Sequence, residues 1–261
     1  MAYFSAILTV IISAVKKSAT AMARDFNELE HLQNSQRSDN MFAMRSVEKV
    51  TKTLKEELSK AKAGFKVIDA QKEPVLAAGN YFLINAADGY ANFAHGNGAF
   101  AICVAMVENN AVVDAVVYNP VTDELFFAEK GCGAFKEGFR NHERLRIAGA
   151  KNIDNALIYC NVDETVLQSV LNISKNIRIS GAASLDLAYV AAAKADAVIA
   201  QNVDVASIAA GLLLVKEAGG YVFAIGDKDI RSEDLQKVMF GGNIVATNEA
   251  LRQKLANTLV K

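Results

Sequence analysis

Between Phe100 and Phe135 the chain reads as strand after strand. Ala101–Val107 is followed by the two-residue turn Asn109-Asn110. Val112–Tyr118 then leads to a turn around Asn119-Pro120, and Leu125–Ala128 follows. Asn tolerates the left-handed backbone that short hairpins require, and strands joined by such turns pair antiparallel. The stretch predicts an antiparallel meander whose faces other elements must cover.

Helices are predicted ahead of it. Phe4, Leu8, Ile11 and Val15 fall on one helical stripe, and Met22 and Phe26 extend it. The apolar run Ala2–Val15 resembles a signal-peptide core, but no basic flank precedes it and Lys16-Lys17 follows, the wrong charge order for export. It is also shorter than the roughly 20 residues of a membrane span, so the expectation is a packed helix in a cytoplasmic protein. In Ser46–Leu58, Val47, Val50, Leu54 and Leu58 recur at helical spacing. Lys49, Lys52 and Lys55 interleave there with Glu48, Glu56 and Glu57, a solvated face rather than an RNA patch. Short strands are predicted at Lys66–Asp69 and Tyr81–Ile84.

After about residue 150 the texture becomes α/β. Strands are predicted at Ala156–Cys160, Tyr221–Phe223 and Asn243–Ala246, and helices at Thr165–Ile173, Ser184–Lys194, Val205–Ala218 and Glu249–Leu259. Gly219-Gly220 marks a helix end. Residues 1–148 read as an N-terminal α+β half and 149–261 as a C-terminal α/β half. With no linker or repeat, the two act as one unit.

Lys plus Arg number 28 and Asp plus Glu 29, a net charge of -1, so nothing in the charge favours general nucleic-acid or membrane attraction. Cys103, Cys132 and Cys160 are too widely spaced for a zinc cluster and odd in number, and read as buried thiols in a reducing compartment. Ser207 lacks the Gly-x-Ser-x-Gly elbow of serine hydrolases. Gly96-Asn97-Gly98 lacks the Gly-Lys-Ser/Thr of a phosphate loop and reads as a turn. His95 reads as a packing or hydrogen-bonding residue, and His31 and His142 have no partner pattern.

The strand ending in Asn85-Ala86-Ala87-Asp88-Gly89-Tyr90-Ala91-Asn92-Phe93, then His95-Gly96, carries the functional signal. With it go Tyr118-Asn119-Pro120-Val121-Thr122-Asp123-Glu124-Leu125-Phe126, Lys130-Gly131-Cys132-Gly133-Ala134-Phe135, Leu185-Asp186-Leu187-Ala188-Tyr189, and Ala209-Ala210-Gly211 through Gly219-Gly220. In these segments the chain resembles, nearly end to end, the inositol monophosphatase family of magnesium-dependent phosphomonoesterases, particularly its bacterial extragenic-suppressor branch. The resemblance implies an α/β (α+β) fold, a layered α/β/α/β/α sandwich of the inositol monophosphatase / fructose-bisphosphatase type, and a homodimer. Fold alone does not establish activity.

Intact members hold Mg²⁺, a hard cation that takes oxygen ligands, and use two or more ions to activate water and neutralise phosphate. Against the family's Asp-Pro-Ile/Leu-Asp-Gly-Thr, this sequence has Asn85 for the first Asp, retains Asp88, and has Tyr90 for the water-orienting Thr. The Asp of the Trp-Asp signature falls on Ser207. The Glu-Glu pair falls on Ala70 and Gln71, or on Asp69 and Ala70 one residue earlier, and an upstream Asp on Arg45. Asp88 and Arg45 cancel in charge, so the resemblance implies a degenerate site with no intact catalytic set, no bound cofactor, and at most one weak metal ligand, Asp88.

Two functions follow as expectations. The first is an inactive member retained for anion or protein binding, with a role near the transcription or RNA-processing machinery. Gly89, Tyr90 and Arg45 are the candidate cradle for phosphate or sulfate, with Arg45 pairing to Asp88 as an alternative. The second is a magnesium-dependent phosphomonoesterase acting on inositol-1-phosphate or a similar sugar phosphate.

Overall fold

The structure is a computed structural model and describes residues 4–32, 38–75, 78–227, 230 and 234–259. Its elements run α1 (Ala6–Leu32), α2 (Ser38–Ala61), β1 (Lys66–Asp69), β2 (Tyr81–Asp88), α3 (Tyr90–Ala94), β3 (Ala101–Glu108), β4 (Ala111–Asn119), β5 (Glu124–Glu129), β6 (Gly133–Lys136) and β7 (Glu143–Arg144). The second half adds β8 (Leu157–Asn161), α4 (Glu164–Leu171), β9 (Asn176–Arg178), α5 (Ala183–Ala191), β10 (Ala197–Ala200), α6 (Val205–Glu217), β11 (Tyr221–Ala224), α7 (Leu235–Gly241), β12 (Ile244–Thr247) and α8 (Glu249–Leu259).

The strands form two sheets. The first runs β1 to β7 in chain order, with β1 parallel to β2 and every other pair antiparallel. Asn109 and Asn110 turn β3 into β4 at φ 50° and 65°, the left-handed pair that a two-residue hairpin needs. The second sheet has the order β11-β12-β10-β8-β9, with β9, β8 and β10 parallel and β12 antiparallel to both its neighbours.

Period-two alternation sorts the strand residues into layers. On β3, Ile102, Val104 and Met106 pack towards α1 and α2, while Ala101, Cys103, Ala105 and Val107 pack towards α5 and α6. On β10, Val198 and Ala200 face that same helical layer, and Ala197 and Ile199 face away from it into the core with α4 and α8. The result is helices, sheet, helices, sheet, helices, the α/β/α/β/α sandwich. In the central layer α5 and α6 approach closely: a Cβ on Gly211 would lie 2.6 Å from that of Leu187.

Several elements differ from their sequence reading. The first helix runs on to Leu32, and Ala6–Leu29 is long and apolar enough by composition to cross a bilayer. What occupies its stripe is packing: Leu8, Ile11, Val15, Met22, Phe26 and Leu29 are buried against the first sheet and α2. Each such side chain contributes about 1.5–3 kcal/mol. The second helix starts at Ser38 rather than Ser46, which puts Arg45 inside it. Strand β2 does not stop at Ile84 but runs to Asp88. Cys103 and Cys160 are buried as expected, whereas Cys132 is exposed, because it sits at the tight turn between β5 and β6. The side chain of His31 falls outside the described residues.

Candidate functional site

The site is built on the last turn of β2. Asn85 pairs with Cys103, but Asp88 pairs with Ala101, so three residues advance on β2 against two on β3. This bulge turns Asn85 and Asp88, which would otherwise point to opposite faces, onto the same one. The Asn85 side chain supports the kink, its Oδ1 accepting the Ala87 N–H at 3.1 Å. Ala86 and Ala87 both fall to the α1/α2 side. Gly89 ends the strand at φ 84°, and a Cβ there would sit 2.8 Å from the Ala99 carbonyl oxygen, so glycine is required.

On the shared face, Asn85 and Asp88 meet the N-terminal turns of α5 and α6. Asp88 is 7% exposed, and its Oδ2 accepts the Ser184 backbone N–H at 2.7 Å and the Ser184 hydroxyl at 2.6 Å. Asn85 Nδ2 donates to the Ser207 hydroxyl at 3.0 Å. Burial pushes the Asp88 carboxyl above its usual range, Ser184 and Ser207 oppose the shift, and Asp204 adds to it. Burial also pushes the Cys103 thiol well up, with Asp88 reinforcing. Asp186 is 4% exposed and accepts the Ser180 hydroxyl at 2.7 and 2.8 Å. Burial pushes it up to about 7, with Ser180 opposing and Asp88 adding to the rise. Asp88, Asp186, Asp204, Asn161, Asn202 and Ser207 line one small concavity of about 160 Å³.

The other expected residues lie apart from this concavity. Ala70 and Gln71 form the turn after β1, where Ala70 packs on the core and the Gln71 N–H donates to Asp69 Oδ1 at 3.2 Å. Tyr90 opens the five-residue α3 and donates its hydroxyl to Asn40 Oδ1 at 2.6 Å, bridging to α2; burial raises its pKa. Tyr90, Gln71 and Asp69 face a second hollow of about 340 Å³ that shares no lining residue with the first. Arg45 is exposed on α2, and among the described residues no ion pair joins it to Asp88. His95 closes α3 with Nδ1 2.8 Å from the Ala91 carbonyl oxygen, and the His142 ring meets Phe4 and Phe127 edge-on.

Three groups of this candidate site escaped the sequence reading. Asp186 lies in the Leu185–Tyr189 segment that resembles the family, and a carboxylate in an otherwise apolar helix was its signal. Ser184 was read as a helix start rather than as a donor to Asp88, and Asp204 stands at the N-cap of α6 without a side-chain capping bond.

Mg²⁺ asks for several hard oxygens in near-octahedral array. The corner offers one carboxylate engaged by two serine donors, one amide and one hydroxyl that bond each other, and a second carboxylate engaged by Ser180. Among the described residues no group of three or more His, Cys, Asp or Glu side chains is placed to hold a metal ion.

The family profile described as "Inositol monophosphatase family" matches residues 5–261. An inositol-1-monophosphatase of Rhizobium meliloti is 34% identical over 98% of this chain and 96% of its own. A protein named Nus factor SuhB from Xylella fastidiosa is 30% identical over 82% of this chain and 80% of its own. The crystal structure of extragenic suppressor protein suhB from Bartonella henselae superposes with a TM-score of 0.83 at 31% identity, covering 99% of this chain and 100% of that one. The chain therefore belongs to the inositol monophosphatase family.

Proposed function

We propose that this chain is a member of its family that does not act as a magnesium-dependent phosphatase and is retained as a binding protein. One observation carries the reading: the Asn85 amide is spent on Ser207 and the Asp88 carboxylate on Ser184. The positions that the family resemblance marks as ligands thus bond one another and their helix starts. A two-magnesium centre does not fit this donor set, and no cofactor is assigned. The bound species is a protein, met by a cytoplasmic homodimer, and the similarity to chains named Nus factor SuhB supports a role near the transcription or RNA-processing machinery. A phosphate or sulfate held by Gly89, Tyr90 and Arg45 is the weaker form of this reading, because Asp88, Asp186 and Asp204 bring negative charge to the adjoining concavity.

The second reading is a magnesium-dependent phosphomonoesterase acting on inositol-1-phosphate or a similar sugar phosphate. It is favoured by relatives named inositol-1-monophosphatase and by three carboxylates around one concavity. A hydrolysis assay on inositol-1-phosphate with Mg²⁺ or Mn²⁺ separates the two. We expect no metal-dependent turnover above background. Turnover that disappears in Asp88→Asn would establish the phosphatase instead. Titration with Mn²⁺ adds a second readout: Asn85→Asp and Ser207→Asp together should raise metal affinity, and either alone should do little, because two ions must be held at once.

A further inference from the structure

We propose that the hollow between α2, the end of β1 and Tyr90 binds a small organic monocation, a primary amine on a compact apolar body. Its floor is Asp69, the last residue of β1, which is 4% exposed. The turn that follows holds Asp69 in place, its carbonyl accepting the N–H groups of Lys72 and Glu73 at 2.9 and 2.8 Å. Its carboxylate is not filled. Oδ1 accepts only the Gln71 N–H, at 3.2 Å, and no other hydrogen bond reaches the carboxylate among the described residues. Neither carboxylate oxygen is both sealed and unpartnered, so the remaining acceptor capacity opens onto the hollow, where a charged donor can form a charge-assisted hydrogen bond with it.

The walls narrow the chemistry of that donor. Met44, Val47 and Tyr90 supply an apolar, polarisable lining suited to a compact hydrocarbon body. Charged groups on the lining are Glu48 and Asp69 against Lys72, two negative and one positive, leaving one uncompensated negative charge. That balance disfavours phosphate and suits a single ammonium. A divalent ion is disfavoured, because among the described residues no group of three or more His, Cys, Asp or Glu side chains that could hold one includes Asp69. The volume, about 340 Å³, lies at the small end of the roughly 300–1,000 Å³ typical of small-molecule sites. Tyr90 forms one wall and is tied to Asn40, so the hollow depends on the tyrosine standing where the family pattern has threonine.

Calorimetric titration of the full chain with benzylamine and with its neutral analogue benzyl alcohol tests this. Benzylamine should bind saturably and the alcohol at least about tenfold more weakly, as expected for a charge-assisted hydrogen bond. Asp69→Asn should cost benzylamine a similar factor. Met44→Trp, at an exposed position, should block the hollow and abolish binding with the melting temperature unchanged, so the test survives if the Asp69 variant fails to fold. Equal binding of amine and alcohol, binding that neither variant changes, or no saturable binding would overturn the proposal. Mn²⁺ that displaces benzylamine and requires Asp69 would reassign the hollow to metal. No readout involves phosphate hydrolysis, so this result and the catalytic one stand or fall separately.

Discussion

Asp88 and Asp114 are both buried aspartates of the first sheet, on β2 and β4, yet they have opposite surroundings. Asp88 finds two donors preformed at the start of α5 and a third group, Ser207, from α6. Asp114 is 3% exposed and its Oδ1 has no hydrogen-bond partner among the described residues. Burial pushes it up to about 7, Glu129 and Glu108 reinforce the rise, and Lys62, itself bonded to Glu108 at 2.6 Å, opposes it. Desolvation penalises both carboxylates, so what separates them is whether the fold supplies donors. A carboxylate met by converging donors marks a built corner, whereas one left among like charges is a local cost.

The largest test of this contrast is Asp88→Ala. It strands the Ser184 N–H and hydroxyl without their charged acceptor and should cost about 3 kcal/mol in urea denaturation. A loss below about 1 kcal/mol would place Asp88 on the same footing as Asp114. Asp114→Asn should act in the opposite direction and depend on pH. Its folded pKa of about 7 lies above the ordinary 3.8, so between those values the folded chain holds a proton that the unfolded chain has released. Stability therefore falls as pH rises through that window. Asp114→Asn should gain about 1–2 kcal/mol at pH 8 and close to nothing at pH 4. An equal gain at both would mean that charge is not the cause. The smallest effect belongs to Arg45→Ala, within about 0.5 kcal/mol, since Arg45 is exposed. A larger loss would connect Arg45 to the Asp88 corner after all.

The meander and its covering helices were legible because they carry strong periodicity: the stripe from Leu8 to Phe26 and the turn at Asn109-Asn110 need no tertiary information, whereas the layered sandwich came only from the resemblance to the family. Strand β10 was missed although it is no shorter than β1, β11 or β12, because Ala197–Ala200 is buried on both faces, shows no alternation and continues the Ala-rich stretch read as helix. Asn85 and Asp88 could be picked out as a motif, but not the bulge that aims both at one helical layer, since that depends on pairing with β3. The donors to Asp88 were hidden for a related reason. Ser184 lies 96 residues away in the chain, and only the stacking of α5 over β2 brings it there.

Gly211 gives the corner a thickness. Leu187 packs where a side chain at 211 would stand, and that contact sets how far apart α5 and α6 lie as they deliver Ser184 and Ser207 to β2. The spacing of the hydroxyls over Asn85 and Asp88 is therefore written in a hydrocarbon contact between the helices rather than in the polar groups themselves. Chemical identity and geometry are separate properties of such a corner: residues at 85, 88 and 207 can exchange carboxylate for amide or hydroxyl while the gauge between the helices stays fixed. On the function proposed above, the cleft keeps its dimensions while its donor set differs, and a molecule entering it meets a space measured out by a glycine and a leucine.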